Sequence, residues 1–448
     1  MSSRRTLSRV VVLVVLLALL APSVVAALTY DPAADTSLEP GTIRSPANGS
    51  TVVSAQGYTF RGDTNRKKPA RLVSVDGGGD LEWTHAESGA WFFEVDPMPN
   101  GNLLVSSPRE EETVVFEFDP DTQERVWSER FEMTDTHGVA YLGDDRIAIA
   151  NMRAWNESAG VSDDRIVVYN RSTDEFTWEW TFRNHYPEST EGGYNDDWTH
   201  VNDVEPIGDG RLLLSPRNFD QAIVVDMESK DVVDRLGTDD DHDVLHEQHS
   251  PDWLVSENGT PTVLVADSEN DRVVEYAKED GEWVRTWTVG AESLNWPRDA
   301  DRLPNGNTLI TDTLNHRVME VTPTGEVVWE YYATWGPYDA ERPVHGDDSN
   351  GPTIRDQNAS GEYAITGSAN VTTDGATGVA DWLQTVADGT PVEAPTDAVA
   401  DRWAHVVPWI RPIWMSSWGV LRTLCAAVLG AVWLGGELVA YRRRRGAA

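Results

Sequence analysis

Lysine is almost missing from this chain of 448 residues: Lys67, Lys68, Lys230 and Lys278 are the whole set, so 32 of the 36 basic residues are arginine. Against them stand 74 acidic residues and a formal charge of −38. With no basic patch to neutralise phosphates, the composition argues against nucleic acid as a partner. Acid-rich, lysine-poor surfaces stay hydrated in concentrated salt, where long-range repulsion is screened, which points to a salt-adapted source. Surface solvation is then the default explanation for any single Asp or Glu. Cysteine is scarcer still. Cys425 stands alone inside an apolar run, so no disulfide staples the polar part of the chain, which must be held by its own core.

Long apolar runs occur in two places. Arg4, Arg5 and Arg9 precede residues 10–28, 19 uncharged residues; at 1.5 Å per residue they make a helix of about 28 Å, enough to span a bilayer. Small residues near Val24 and Ala26 equally allow a cleaved signal peptide. The second run, residues 423–441, is closed by four arginines at 442–445. Positive flanks stay inside, so the basic ends at 1–9 and 442–448 are expected in the cytoplasm and the intervening domain outside the cell membrane. Six N-x-S/T sequons, at Asn48, Asn156, Asn170, Asn258, Asn358 and Asn370, suit an external domain.

Between residues 40 and 345 the chain repeats itself. One phase reads "EVDPMPNGNLLVSSPR" (94–109), "DVEPIGDGRLLLSPR" (203–217) and "DADRLPNGNTLITDT" (299–313), with looser copies at 138–151 and 252–268. Each sets a Gly or Asp turn before a short apolar run, as a hairpin does. A second phase of alternating strands around a polar turn follows each copy. The spacing is about 42 to 65 residues, longest where 152–163 and 183–197 look inserted. Repeats of this length with four strands per unit mean a β-propeller. Five units are clear and residues 48–85 make a sixth, so the expected fold is all-β: a six-bladed propeller flanked by two transmembrane helices. The many tryptophans at unit ends read as packing between blades. Residues 346–400 are polar and Gly-rich and read as a stalk; 401–420 mix Trp with sparse charge and read as a segment lying along the membrane surface.

In a propeller the first strand of each blade lines the central channel, and residues just before it gather at one mouth. Aligning the units puts His137, His200 and His249 there, with Arg298 in the corresponding place of "NWPRDADRL". Histidines distant in sequence thus converge. The local cluster "DDDHDVLHEQH" (239–249) is less informative: its "HEQH" is one residue short of the H-E-x-x-H pattern, and no metal site is expected there. His242 and His246 read as solvated loop residues.

At this point a resemblance becomes specific. "DDWTHVNDVEPIGDGRLLLSPRNFDQAIVVD" (196–226) resembles the signature blade of the arylsulfate sulfotransferase family, with H-x-N at His200 and Asn202 and the following arginine at Arg217. "EQHSPDWL" is similar to that family's next blade, where a Q-H pair carries the nucleophile, here Gln248 and His249. His137 in "DTHGVAYL" resembles an earlier histidine-bearing blade. The resemblance covers about residues 45–345; it departs from the bacterial enzymes in lacking their N-terminal domain and disulfide. It implies transfer of a sulfuryl group from an aryl sulfate donor to a hydroxyl acceptor, by ping-pong turnover through a sulfohistidine on His249. Arg217, Asn202 and His200 then hold the sulfonyl oxygens, His137 handles the proton, and Gln248 and Arg298 contact substrate. No cofactor is required. The competing expectation comes from "DSENDRVVEY" and "DTLNHRVMEV", which resemble NHL-type propellers that serve as recognition modules; a quinone-dependent dehydrogenase ranks below it.

Overall fold

The computed structural model describes residues 2–30, 38–57, 68–291, 293–347, 349–369 and 378–445. The sequon at Asn370, residues 58–67 of the first repeat unit and residues 370–377 of the expected stalk lie outside them. The chain divides into two units: residues 37–369, and a second made of 1–36 with 370–448.

The first unit is a six-bladed β-propeller. Blade 2 is built from Val95–Pro97, Leu103–Pro108, Thr113–Asp119 and Glu124–Phe131; blade 3 from Val139–Gly143, Arg146–Asn151, Arg165–Asn170 and Glu175–Thr181. Blade 4 uses Val201–Pro206, Arg211–Pro216, Gln221–Asp226 and Val232–Gly237; blade 5 His249–Val255, Pro261–Asp267, Arg272–Glu279 and Glu282–Val289; blade 6 Pro297–Arg302, Thr308–Asp312, Arg317–Val321 and Val327–Ala333. Burial explains the two sequence patterns. The second strand of each blade faces neighbours on both sides, so "RLLLSP" of blade 4 is buried from Leu212 to Pro216. The outermost strand faces solvent at its edge and alternates, as Glu124–Phe131 does. The turn that opens blade 3 uses Asp144 and Asp145, both at positive φ (52° and 57°), the conformation a tight two-residue hairpin demands.

Blade 1 closes the ring. Its outer strands are Thr51–Ala55, Arg71–Val75 and Leu81–His85, but its innermost strand is Pro337–Glu341, paired through Val53↔Ala340 and Ser54↔Asp339. Six apolar clusters result, one per blade interface, from the blade 1–2 layer around Phe92 and Phe116 to the blade 6–1 layer around Trp329 and Tyr331. The tryptophans at unit ends do pack between blades. Trp178 and Trp180 of blade 3 donate their indole N–H to Met227 O and Lys230 O of blade 4 (both 2.9 Å), and Trp287 of blade 5 donates to Pro323 O of blade 6 (2.8 Å). The two D-x-x-N-x-R segments are internal braces: Arg272 Nε lies 2.6 Å from Asp267, and Arg317 Nε 2.7 Å from Asp312.

The stalk begins later than expected. Residues 349–369 run over the propeller instead: Ile354 is fully buried and its N–H donates to Glu275 (3.0 Å), and Gly361–Tyr363 adds a parallel fifth strand to blade 5. Polar composition concealed this, because only Ile354 and Ala359 are buried apolar anchors. At the other end Leu38–Ile43 adds a fifth strand to blade 6.

The second unit is helical. Helices Ser2–Thr29 and Ser417–Arg445 contain segments, Thr6–Thr29 and Ser417–Arg443, long and apolar enough to cross a membrane. Arg9 Nη2 reaches Glu437 Oε2 at 2.5 Å. Val379–Ala387 and Glu393–Ile410 are also helical, so the expected stalk contains helix. The expected surface segment 401–420 is not one element. It is broken at Arg411, which precedes Pro412 and takes extended dihedrals (φ −67°, ψ 140°), as a residue before proline prefers.

Candidate active site

The innermost strands deliver side chains to one mouth of the channel, some through backbone that a strand does not ordinarily adopt. His200 stands immediately before its strand at φ 41°, and Trp296 immediately before blade 6 at φ 55°. Such left-handed conformations are costly for bulky residues and cluster where geometry is imposed by function.

His249 is fully buried. Its Nδ1 lies 2.8 Å from Ser268 Oγ, and that hydroxyl lies 2.6 Å from Pro297 O. A carbonyl can only accept, so the serine proton points at Pro297 and Oγ accepts from His249 Nδ1–H. The proton is therefore on Nδ1 and the lone pair on Nε2, which is buried with no hydrogen-bond partner among the described residues. Burial, reinforced by the positive charges of Arg298 and Arg217, holds this imidazole well below its ordinary 6.5. A neutral imidazole with an open Nε2 is a nucleophile.

Around it sit His137, His200 and Tyr338. The His137 and His200 rings are 5.3 Å apart, and Tyr338 lies 5.2 Å from His137 and 6.0 Å from His249, centroid to centroid. Tyr338 Oη is 2.9 Å from His137 Nδ1, while His137 Nε2 faces Asp135 Oδ1 at 3.5 Å. With the Nε2 proton directed at the carboxylate, Nδ1 accepts from the phenol. His200 Nδ1 donates to Asp197 (2.8 Å). Arg153 joins the two carboxylates, 2.9 Å from Asp135 and 3.0 Å from Asp197. Burial lowers both imidazoles, His200 further under the charge of Arg217; burial raises Tyr338 well above its ordinary value. Arg298 lies over Tyr338 and Trp296 (4.6 and 4.4 Å) and donates to Gln56 Oε1 (2.6 Å).

Arg217 closes the group: Nε donates to Asn218 (3.2 Å) and Nη2 pairs with Glu247 (3.2 Å). The same "SPR" motif in blade 2 leads elsewhere, since Arg109 pairs with Glu87. Gln248 and Asn202 are placed as supports. Gln248 Nε2 donates to Gln221 O (2.5 Å) and Ser215 Oγ (3.1 Å), and Asn202 Nδ2 donates to Gln248 O (2.9 Å). Both amide oxygens are buried with no partner among the described residues. His242 and His246 stack on each other (3.8 Å), and His242 is half-exposed 3.3 Å from Asp220.

Residues 47–249 match the Arylsulfotransferase (ASST) family model. The matched stretch ends on His249 and contains His137, His200, Asn202, Arg217 and Gln248. No curated protein matches the chain. Similar solved structures include a protein of unknown function from Bacteroides caccae (13% identity, covering 65% of this chain and 98% of that one, TM-score 0.46). Others are hydrazine synthase from Kuenenia stuttgartiensis (16%, 56% and 70%, TM-score 0.36) and virginiamycin B lyase from Staphylococcus aureus (9%, 64% and 85%, TM-score 0.39).

Several groups at the mouth escaped sequence reasoning, Asp135, Trp296 and Gln56 among them. Tyr338 comes from the closing strand, and Ser268 from the turn between Pro261–Asp267 and Arg272–Glu279 of blade 5. Arg153 and Asp197 come from the two insertions. A signal existed for Tyr338: "PYDAE" has the acid spacing of the other innermost strands, and the described residues of the unit at 48–85 hold three strands where the other blades have four.

Proposed function

We propose that the protein transfers a sulfuryl group from an aryl sulfate to a hydroxyl acceptor through a covalent His249 intermediate. The observation that carries this reading is the His249 imidazole: proton fixed on Nδ1 by Ser268, Nε2 buried and unpartnered. The family match over 47–249 supports the reaction class.

In the first half-reaction the Nε2 lone pair forms a bond to sulfur as the S–O bond to the aryl group breaks. Arg217 faces the sulfonyl oxygens and Arg298 of blade 6 adds positive charge, while His200, its Nδ1 proton held by Asp197, packs its ring against His137 as a positioning residue; fixed donors at such a site are worth most where charge develops. The departing phenolate takes the Tyr338 proton, leaving a tyrosinate under the charge of Arg298, 4.6 Å from its ring, while His137, held by Asp135, positions the phenol. In the second half-reaction the acceptor hydroxyl returns a proton along the same route and attacks sulfur, and the S–N bond breaks. Donor and acceptor exchange one sulfuryl group for one proton, so the ledger balances without an external co-reactant. Gln248 and Asn202 act as positioning residues, since their bonds fix the peptide that carries His249. The two apolar helices anchor the propeller, with both basic ends cytoplasmic and the channel outside the cell.

Intact-mass measurement after incubation with a chromogenic aryl sulfate tests this. The expected result is a gain of one SO3 unit, absent in His249→Ala along with phenol release, a loss of at least ~10³-fold in turnover. A wild-type protein that binds the aryl sulfate without adduct or turnover overturns the enzymatic reading in favour of a recognition module.

A further inference from the structure

The repeat phase quoted at the outset holds a second pattern: acid-x-acid. Glu94 and Asp96 of blade 2 begin it, blades 4 and 6 repeat it, and Asp339 and Glu341 of blade 1 complete it. Residues two apart on a strand point to the same face, here into the channel. They surround a cavity of ≈ 50 Å³ in which ten of the sixteen lining residues are Asp or Glu and none is basic. The arginines next along the chain turn away: Arg302 pairs with Glu275 (3.0 Å), and Arg342 with Glu320.

Acid-rich surfaces are expected of this protein, but this layer is interior. Asp301 is 8% exposed; its Oδ2, on the cavity wall, meets no N–H or hydroxyl donor among the described residues, and its side chain faces another carboxyl, that of Asp252. Glu94 Oε2 is likewise buried and unpartnered. Carboxylates gathered on a wall that carries no basic side chain are eased by a shared proton or by a bound cation. One carboxylate oxygen each from Glu94, Asp96 and Asp339 lies within 4.8 Å of the others. Oxygens bound to Ca²⁺ at about 2.3–2.6 Å stand at most roughly 5 Å apart across the ion, whereas Mg²⁺ at about 2.0–2.1 Å draws them closer and demands a regular octahedron.

We propose that the channel beneath the histidine mouth holds a divalent cation of the calcium type, ligated by Glu94, Asp96 and Asp339, with Asp301 facing it from blade 6. It is separate from the sulfuryl-transfer groups and stands whether or not that reading holds.

The test is calorimetric titration of CaCl2 into EDTA-treated full-length protein in detergent and high monovalent salt, with melting temperature followed in parallel. Wild type is expected to bind one equivalent saturably, with a rise in Tm. Asp301→Asn should weaken binding at least ~10-fold and abolish most of the Tm response, while melting no lower than wild type in EDTA, because a like charge is removed. Exposed Asp209→Asn should change neither. Absence of saturable binding in wild type overturns the site; so does an unchanged calcium response in both Asp301→Asn and Glu94→Gln, which assigns the binding to the acidic surface. If Asp301→Asn fails to fold, Glu94→Gln alone decides between these outcomes. MgCl2 giving the larger Tm rise overturns the calcium assignment.

Discussion

One residue separates two opposite layers of the channel. Asn202, Arg298 and Tyr338 belong to the histidine mouth; their successors Asp203, Asp299 and Asp339 belong to the carboxylate layer. Both layers hang on the same strands, yet their ionisations shift in opposite directions. Burial pushes His249 and His200 well below their ordinary value and Asp299, Asp301, Glu94 and Glu341 well above theirs, with Asp339 at about 7. A single cause underlies both: a low-dielectric channel disfavours whichever form is charged. The consequences differ. For an imidazole, neutrality is the reactive state. For a ring of carboxylates, the raised values reflect how poorly a narrow channel, crowded with like charges, tolerates their ionisation.

The comparison can be broken most severely at the histidine mouth. Arg217→Ala removes a guanidinium that His200 and His249 both feel; kcat/KM for an aryl sulfate should fall on the order of 10²–10³-fold, with the melting temperature little changed. An equal fall in an His249→Ala background, where turnover is already lost, cannot be read from activity, so the check is steady-state kinetics on the single variant. Ser268→Ala takes away the acceptor that fixes the proton on Nδ1. About tenfold slower adduct formation is expected, the worth of one hydrogen bond, and Ser268→Thr should restore much of it. The smallest effect concerns stability. Between pH 6.5 and their folded values the buried imidazoles bind fewer protons than in the unfolded chain, so their own contribution to stability is complete above about pH 6.5 and falls as pH drops below it. Each such group contributes a slope on the order of 1 kcal/mol per pH unit. Melting curves of wild type and His249→Ala from pH 7.5 downward should differ in that slope; parallel curves would mean that His249 titrates normally.

Much of the fold was legible because it is local. Two-residue alternation, Gly and Asp turns, and the length of a repeat belong to short stretches, and they suffice to count blades. The convergence of His137, His200 and His249 followed from the same alignment, since equivalent positions in a ring must face one axis. What was misread was also local in character. Residues 349–369 look like a linker because Ile354 and Ala359 are too few to raise a hydrophobic signal, yet the carboxylate of Glu275 and the free edge of blade 5 hold them.

The sequence by itself determined the charge, the two apolar spans, the six-unit repeat and which histidines share a mouth. Only the tertiary structure decided how those histidines are wired. Ser268 selects the tautomer of His249, Tyr338 meets His137 because Pro337–Glu341 returns to pair with Thr51–Ala55, and Arg153 and Asp197 arrive from insertions with no repeat to announce them. The physical reason is range. Hydrogen bonds that fix protons join residues as much as 201 positions apart, and nothing in a local pattern specifies which distant partner will complete them.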